Sequence, residues 1–399
     1  MTQLNTNNSR TYCMNRLYSI LITVVLLLTL SEKSQSQTPV LIHDESFQNG
    51  AVEAIDSLYN RNTEAAHQIM QPWRDRHPDH PIWSMWEAME LWWQVLEDLY
   101  DHSLDDQLME MMQRSEYEAG RLLNRERNHP DALIIRALAN GYIARHYANR
   151  DSWITSVRTA RRAYVSYEQL MEVEPDFIDN EFVRGMVLYY AAYIPDEYPV
   201  VRAVSWFLPD GDRKEGLNKI DIAASDGIFS RPEASYFMGN ILLNYEKRYA
   251  AAMIYLSRLV EDYPNNSYYR RLYVRTLANQ NRNNEVLEAV ESAISEWKEK
   301  NNPREDILLE ELRFWEGRAL YRMNRFEEAL EAFNKSIEYG YNLPNRSERL
   351  YYSVANYYAG LTSEALQQRD NARSYYTVTV DQNVEGNFKS RARERLREL

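Results

Sequence analysis

The chain has 399 residues and a formal net charge of −13, and it contains only 12 glycines, 13 prolines and one cysteine. Hydrophobic residues make up 44% of it, a composition that favours helices over sheets or disorder. The negative charge disfavours nucleic acid and anionic lipid headgroups as main partners. A single cysteine excludes a disulfide within the chain.

The first thirty-six residues predict a cleaved signal peptide. Arg10 and Arg16 precede an apolar run, residues 17–30, after which the chain turns polar. Small side chains at Ser34 and Ser36 fit a cleavage site after Ser36. The apolar run is short for a membrane span, although an uncleaved anchor is the alternative.

The leader also sets the predicted domain boundaries and location. Residues 1–36 form the signal peptide, residues 37–45 a polar linker and residues 46–399 the folded region, which contains an irregular insertion at 195–211. Cys13 precedes the apolar run, so no lipid-attachment cysteine follows it. We therefore expect an exported, periplasmic protein without stable membrane insertion after cleavage.

Helical hairpins then follow one another along the chain, each with a small residue in its second helix. In three of them an alanine is followed at four residues by a large side chain and at twelve residues by a proline, a spacing typical of a repeated helical unit. Aligning the second helices predicts about eight hairpins, with the small residues Ala66, Ala119, Ala163, Gly216, Ala252, Ala289, Ala329 and Ala372.

The first helices carry small residues as well, because two helices joined by a short turn approach closely only where side chains are small. The clearest hairpin joins a helix over 232–245 to a helix over 249–261, with Gly239 at the crossing. Ala139 and Ala355 are the corresponding residues predicted for two other hairpins. The arginine-rich residues 388–399 predict a capping helix, which an open stack requires.

Over residues 44–399 these patterns resemble tetratricopeptide-repeat (TPR) proteins. The resemblance implies an all-α fold, an α-solenoid of about eight TPR-like hairpins with a C-terminal capping helix. It also implies a protein-binding scaffold whose first helices line a concave face. A narrower similarity covers residues 181–277, with Gly185 and the run 211–216, and is to the inclusion-body-clearance and tetratricopeptide-repeat-39 type. Neither resemblance brings catalytic residues.

Catalytic, cofactor and metal sites are not predicted. Asp75, His77, Asp79 and His80 offer metal-ligand side chains, but the neighbouring prolines favour an ordinary turn between hairpins. The sequence contains neither a glycine-rich phosphate loop nor a Gly-x-Ser-x-Gly elbow. We therefore expect a non-enzymatic protein.

Tryptophan and methionine are concentrated near the N-terminus and allow two interpretations. They form either the core of the first hairpins or an adaptable apolar groove, which would make the protein a carrier of a hydrophobic small molecule or lipid. The residues are Trp73, Trp83, Trp86, Trp92, Trp93, Met109, Met111 and Met112.

The segment 195–209 departs from the repeat, since three prolines interrupt any continuous helix while its side chains remain apolar. It is predicted to pack into the concave channel as a plug, or else to contact a partner or membrane.

A peptide-binding face is predicted on the first helices. Three of them pair a side chain with an asparagine four residues later, directly after the small crossing residue, and residues at this spacing share a helix face. Asparagine amides both donate and accept hydrogen bonds, and arginines bind carboxylates. The alternative is that the amides only tie neighbouring hairpins together. The predicted residues are Arg136, Asn140, Tyr236, Asn240, Arg318, Tyr352 and Asn356.

Overall fold

The computed structural model describes residues 38–198, 210–300 and 305–399. Residues Val40–Leu399 form one compact unit. The predicted signal peptide and most of the apolar segment 195–209 lie outside the described residues.

Seventeen α-helices and two 3₁₀ turns, Leu41–His43 and Arg346–Glu348, make up the described part of the chain, which contains no β-strand. The helices are α1 Glu45–Tyr59, α2 Thr63–Arg76, α3 Ile82–Glu97, α4 Asp105–Arg125, α5 Pro130–Asn149, α6 Trp153–Val173, α7 Asn180–Glu197, α8 Arg213–Asp226, α9 Arg231–Asn244, α10 Tyr249–Asp262, α11 Ser267–Asn279, α12 Asn283–Lys300, α13 Glu305–Arg322, α14 Phe326–Asn342, α15 Leu350–Ala365, α16 Arg369–Asp381 and α17 Asn387–Glu398.

Consecutive helices pair as eight hairpins, from α1–α2 to α15–α16, and α17 packs on the last hairpin as a cap. This confirms the predicted all-α solenoid. Six of the hairpin turns contain a residue with positive φ, which is the left-handed conformation that commonly ends a helix. These residues are Arg61, Asp151, Lys247, Asn281, Asn324 and Gln367.

Close helix crossings require glycine in four of the first helices, and in α7 a Cβ atom at Gly185 would lie 2.7 Å from the carbonyl oxygen of Gly216 on α8. A Cβ atom at Gly239 would lie 2.8 Å from Leu256 Cδ2, and one at Gly317 would lie 2.6 Å from Phe333 Cε1. Gly360 makes the same approach to a ring in α16, at 2.5 Å. The crossing residue of α15 is therefore Gly360, and the prediction of Ala355 is wrong. Ala355 is buried instead in the core cluster that α15 shares with α13 and α14.

Seven of the eight second helices bury their fourth residue, and the exception is α6, in which Ser156 is half-buried. Ala252, Ala329 and Ala372 occupy this fourth position with no exposed surface. In α12 the same position belongs to Val286, which is also fully buried, whereas the predicted Ala289 is half-buried. The prediction of Ala289 is therefore wrong by three residues. The helix contains apolar side chains both at the predicted positions and three residues earlier, so the sequence alone does not fix which ones are buried.

The first helices are more buried than the second helices. In α9, every residue from 232 to 243 is buried except Glu233 and Asn240, which are half-buried. The second helix α10 instead leaves side chains such as Ile254 exposed. The first helices therefore form an inner layer that contacts protein on several sides, and the second helices form the outer layer.

The first hairpin contacts hairpins that are distant in sequence. In an open solenoid, each repeat contacts only its neighbours. Here the Tyr59 hydroxyl donates to Glu233 Oε2 at 2.5 Å, and Arg145 Nη1 lies 3.2 Å from the other carboxylate oxygen. Asn266 Nδ2 also donates to the Tyr59 carbonyl at 2.8 Å. The inner side of the superhelix is therefore partly filled by the chain's own N-terminal hairpins.

A buried ion cluster joins the second hairpin to the last two. Arg349 is 1% exposed and donates to both carboxylate oxygens of Asp98, at 3.0 and 2.9 Å. It also donates to Glu310 Oε2 at 3.0 and 2.8 Å, and its guanidinium lies 4.9 Å from the Tyr100 ring centroid. One cation thus connects segments about 250 residues apart.

Helix α7 continues through Pro195 to Glu197, so the predicted break at that proline is absent. Proline is tolerated there because it lies in the last turn, where it removes only one helical hydrogen bond. After the insertion the chain returns directly onto α7, where Asp212 N donates to Leu188 O at 3.0 Å. In the ranges that the structure covers, no helix is long and apolar enough to cross a membrane.

Candidate functional site

Polar side chains follow one edge of the inner layer, on three successive first helices. We call this set the amide–arginine stripe; it consists of Asn240 and Asn244 on α9, Arg275 on α11, and Arg318 and Arg322 on α13. Four of the five residues are half-buried and Arg322 is exposed. Polar groups that remain accessible on an otherwise buried layer can contact a ligand.

Hydrogen bonds connect the α9 and α11 part of the stripe. Asn244 Nδ2 donates to Asn240 Oδ1 at 2.6 Å, and Arg275 Nη2 donates to Asn244 Oδ1. Burial lowers the pKa of Arg275, but the neighbouring Tyr351 and Glu311 outweigh it and raise the pKa overall. The amide nitrogen of Asn240 has no protein partner among the described residues, so it is available to donate.

Arg318 is held by aromatic rings rather than by an acid. Its guanidinium carbon lies 5.1 to 5.9 Å from the ring centroids of Phe314, Trp315 and Tyr358. Among the residues that the structure describes, it forms no hydrogen bond or ion pair. Its five N–H donors are therefore oriented by stacking and free to bind an acceptor.

Arg322 adds a second positive charge beside Arg318. Its Nη1 donates to the Ala278 carbonyl at 2.6 Å. Partial burial of this guanidinium lowers the pKa of Arg322, and the positive charge of Arg318 lowers it further. Two like charges are thus held close together, and an anion between them would be stabilised by both.

Three of the predicted binding residues lie on or next to the stripe. Asn240 and Arg318 belong to it. Tyr236 lies one turn before Asn240, but it is buried, and its hydroxyl accepts from Arg145 Nη2 at 2.7 Å and lies 3.2 Å from the Tyr268 hydroxyl. The described contacts of the Tyr236 side chain are thus with the core, and its role in binding stays a prediction.

The other four predicted residues lie elsewhere. Arg136 Nε donates to Glu116 on α4 at 3.3 Å. Asn140 and Asn356 are 2% exposed, and their Nδ2 atoms donate to carbonyls four residues earlier on their own helices, at 3.0 and 2.8 Å. Tyr352 is buried, and its Cβ lies 3.1 Å from where a Cβ atom at Gly340 would be. Their role in binding stays a prediction.

Sequence reasoning missed Asn244, Arg275 and Arg322. A signal was present, because Asn240 and Asn244, and likewise Arg318 and Arg322, are spaced by four residues and so share a helix face. The prediction paired each asparagine with the residue four positions before it, toward the N-terminus of the helix. The residue four positions later would have identified Asn244 and Arg322, whereas Arg275 is linked to the stripe only by a contact between helices.

The N-terminal tryptophans fill the core of the first hairpins. Trp73, Trp83, Trp92 and Trp93 are at most 6% exposed, and only Trp86 is half-buried. These contacts favour the core interpretation, and the carrier hypothesis stays a prediction. The predicted turn at 77–81 lies between α2 and α3.

Comparisons with known proteins identify the repeat. The tetratricopeptide-repeat family model matches residues 233–266, which cover the hairpin α9–α10 except for the first two residues of α9. This is the general repeat, and the narrower resemblance over 181–277 stays a prediction. The crystal structure of yeast Tom70 is similar at 11% identity and a TM-score of 0.41, covering 97% of this chain and 86% of that one. No curated protein matches the chain. The repeat and the helical hairpins support a protein-interaction scaffold.

Proposed function

From the premise that the chain carries a tetratricopeptide repeat within a solenoid of eight hairpins, we propose that it is an exported, non-enzymatic scaffold that binds a protein partner. The partner contributes an extended segment with a carboxylate, which lies along the amide–arginine stripe. The carboxylate binds at Arg318 and Arg322, and the asparagine amides bind the peptide backbone.

The observation that carries this proposal is the environment of Arg318. Most buried or half-buried arginines that the structure describes contact an acid, as Arg145 contacts Glu233 and Arg349 contacts Glu310. Arg318 instead contacts three rings and forms no ion pair with a described residue, and its positive charge acts on the neighbouring Arg322. A peptide carboxylate supplies the missing charge, and the planar guanidinium can bind it through two parallel hydrogen bonds.

The amides of the stripe favour a peptide over a small anion. Asn240 and Asn244 lie on α9, two first helices before the α13 arginines. They are linked by hydrogen bonds to Arg275 on α11, which lies between these two helices. An extended segment needs both donors and acceptors along its length, and a side-chain amide offers both. A lone anion would use only the arginine end.

Export and partner class are supported by the sequence. The apolar run after Arg10 and Arg16 supports a cleaved leader and a periplasmic location. The net charge of −13 disfavours nucleic acid as a partner, because it repels phosphate. The positive charge at Arg318 and Arg322 is confined to one part of the surface, which suits a single carboxylate rather than a nucleic acid.

The test compares partner capture by three purified proteins: the wild type, Arg318→Met and Asn240→Ala. Losing a hydrogen bond to a charged group costs about 1.5 to 3 kcal/mol, so Arg318→Met should weaken Kd about ten- to hundredfold. The matched control is Arg325→Met, which removes an exposed arginine of the same hairpin that pairs with Glu328.

Melting curves separate binding from folding. If the stripe binds the partner, both stripe variants lose capture while their unfolding midpoints stay close to that of Arg325→Met. Normal capture by the folded fraction of Arg318→Met would refute the proposal. If Asn240→Ala lowers the unfolding midpoint but its folded fraction captures the partner normally, the asparagine stabilises the fold and does not bind the partner.

A further inference from the structure

Two junctions between hairpins carry the same three residues, His-Pro-Asp, at 77–79 and at 129–131. The fold brings His80, just after the first of these runs, next to His129 and Asp131 of the second. Each is at most 4% exposed, and one ligand atom from each lies within 4.8 Å of the others.

The separation of two of these atoms suits a metal ion. Nε2 of His80 lies 3.2 Å from Asp131 Oδ2, yet it is buried and lacks hydrogen-bond geometry to any partner. Zinc–nitrogen and zinc–oxygen bonds of about 2.0 to 2.2 Å place tetrahedral ligand atoms about 3.3 Å apart. The pair therefore already has the spacing that a bound ion requires.

Backbone amides hold the carboxylate in place. Leu41 N donates to Asp131 Oδ2 at 2.6 Å, and Ile42 N donates to Oδ1 at 3.2 Å. Each carboxylate oxygen keeps a further lone pair for an ion, and hydrogen bonds to ligating carboxylates orient them in known metal sites. Ile82 N lies 3.3 Å from Nδ1 of His80. A neutral ring that accepts at Nδ1 carries its proton on Nε2, so metal binding at Nε2 moves this proton to Nδ1 and breaks the contact with Ile82.

Burial also favours a bound ion. Within the described residues, Nε2 of His80 is shielded from water and has no hydrogen-bond partner, and an unpaired buried polar atom is costly. A divalent ion would contact all three groups at once.

We infer that His80, His129 and Asp131 bind one divalent transition-metal ion. Two imidazoles and one carboxylate suit zinc better than magnesium or calcium, which prefer all-oxygen ligands. The ion would join the junctions α2–α3 and α4–α5 to the N-terminal 3₁₀ turn, and water would complete its coordination. Its role is structural, because the ion would hold separate junctions together through three buried side chains, and it is independent of the amide–arginine stripe.

The experiment uses the full chain, without an affinity tag, after chelator treatment and dialysis. Co²⁺ is titrated as the probe and followed by its visible absorption, then displaced with Zn²⁺. We expect one Co²⁺ per chain with the intense band of four- or five-coordinate cobalt, and a higher unfolding midpoint with Zn²⁺. His129→Gln and Asp131→Asn should lose the band, whereas His67→Gln, at a half-exposed histidine paired with Glu90, should keep it.

A second readout does not depend on the variants folding. Hydrogen exchange at the Leu41 and Ile42 amides of the wild type should slow when Zn²⁺ is added, because the metal holds the carboxylate that accepts from both. Absence of stoichiometric cobalt binding by the wild type would overturn the inference. Unchanged binding by His129→Gln and Asp131→Asn would also overturn it, since the metal would then bind elsewhere.

Discussion

Replacing Arg349 by methionine tests whether the solenoid is closed by its buried ion cluster. The variant keeps the length of the side chain but leaves Asp98 and Glu310 buried without their cation, both at most 4% exposed as side chains. Removing one partner of a buried ion pair costs about 3 to 5 kcal/mol, because the remaining charge is uncompensated. We expect a loss of this size, and the second hairpin should detach from the last two.

The loss should depend on pH. Burial raises the pKa of Glu310 above its usual range, while the adjacent Arg349 opposes that shift, so the variant raises this pKa further. Between the unfolded and folded pKa values the folded protein binds more protons, and stability therefore rises as pH falls. The gap between variant and wild type should be smaller at about pH 5 than at about pH 8.

Urea unfolding followed by tryptophan fluorescence measures both effects. Arg325→Met is the control, because Arg325 pairs with Glu328 at the surface, and its expected cost is below about 1 kcal/mol. Adding Asp98→Asn and Glu310→Gln to Arg349→Met should restore part of the stability by removing the unpaired charges. A midpoint for Arg349→Met equal to that of the control would refute the reasoning.

Three further predictions concern packing, a buried hydrogen bond and export. Ala329→Trp and Ala372→Trp introduce bulk at fully buried helix crossings and should each cost about 1 to 3 kcal/mol in thermal unfolding, and unchanged curves would contradict the hairpin packing. Tyr59→Phe removes a buried donor to a carboxylate and should lower the free energy of unfolding by about 1 to 3 kcal/mol, whereas Tyr341→Phe, at an exposed ring, should not, and equal effects would contradict the contact. N-terminal sequencing of the exported protein should find Gln37 at or near its start, and a retained apolar leader would contradict cleavage.

The hairpins were predictable because each is a local unit. The predicted helices at 232–245 and 249–261 differ from α9 and α10 by only one residue at their ends. Helix register was harder to predict where small residues recur on one helix. In α15, Ala355, Ala359 and Gly360 are all small, and only the packing identifies Gly360 as the crossing residue.

The candidate site was only partly predictable for the same reason. Asn240 and Arg318 could be predicted because each directly follows the glycine of a first helix, and this can be read from the local sequence. The link from Asn244 to Arg275 joins two helices, and it depends on how neighbouring hairpins stack. The contact of Arg349 with Asp98 spans about 250 residues and depends on the curvature of the whole solenoid, which a repeat pattern does not determine.

Photo-crosslinking from beside the stripe tests the proposed binding face most directly. A benzophenone amino acid replaces Asn279 in the full chain inside the producing cells, because Asn279 is half-buried and shares a helix face with Arg275. The control carries the crosslinker at Tyr341, which is 58% exposed outside the stripe. Position 279 should form a covalent adduct with one partner protein, at a segment that contains Asp, Glu or a C-terminal carboxylate. Arg318→Met in the same chain should abolish the adduct. No adduct at 279, or the same adducts from both positions, would contradict binding at the amide–arginine stripe.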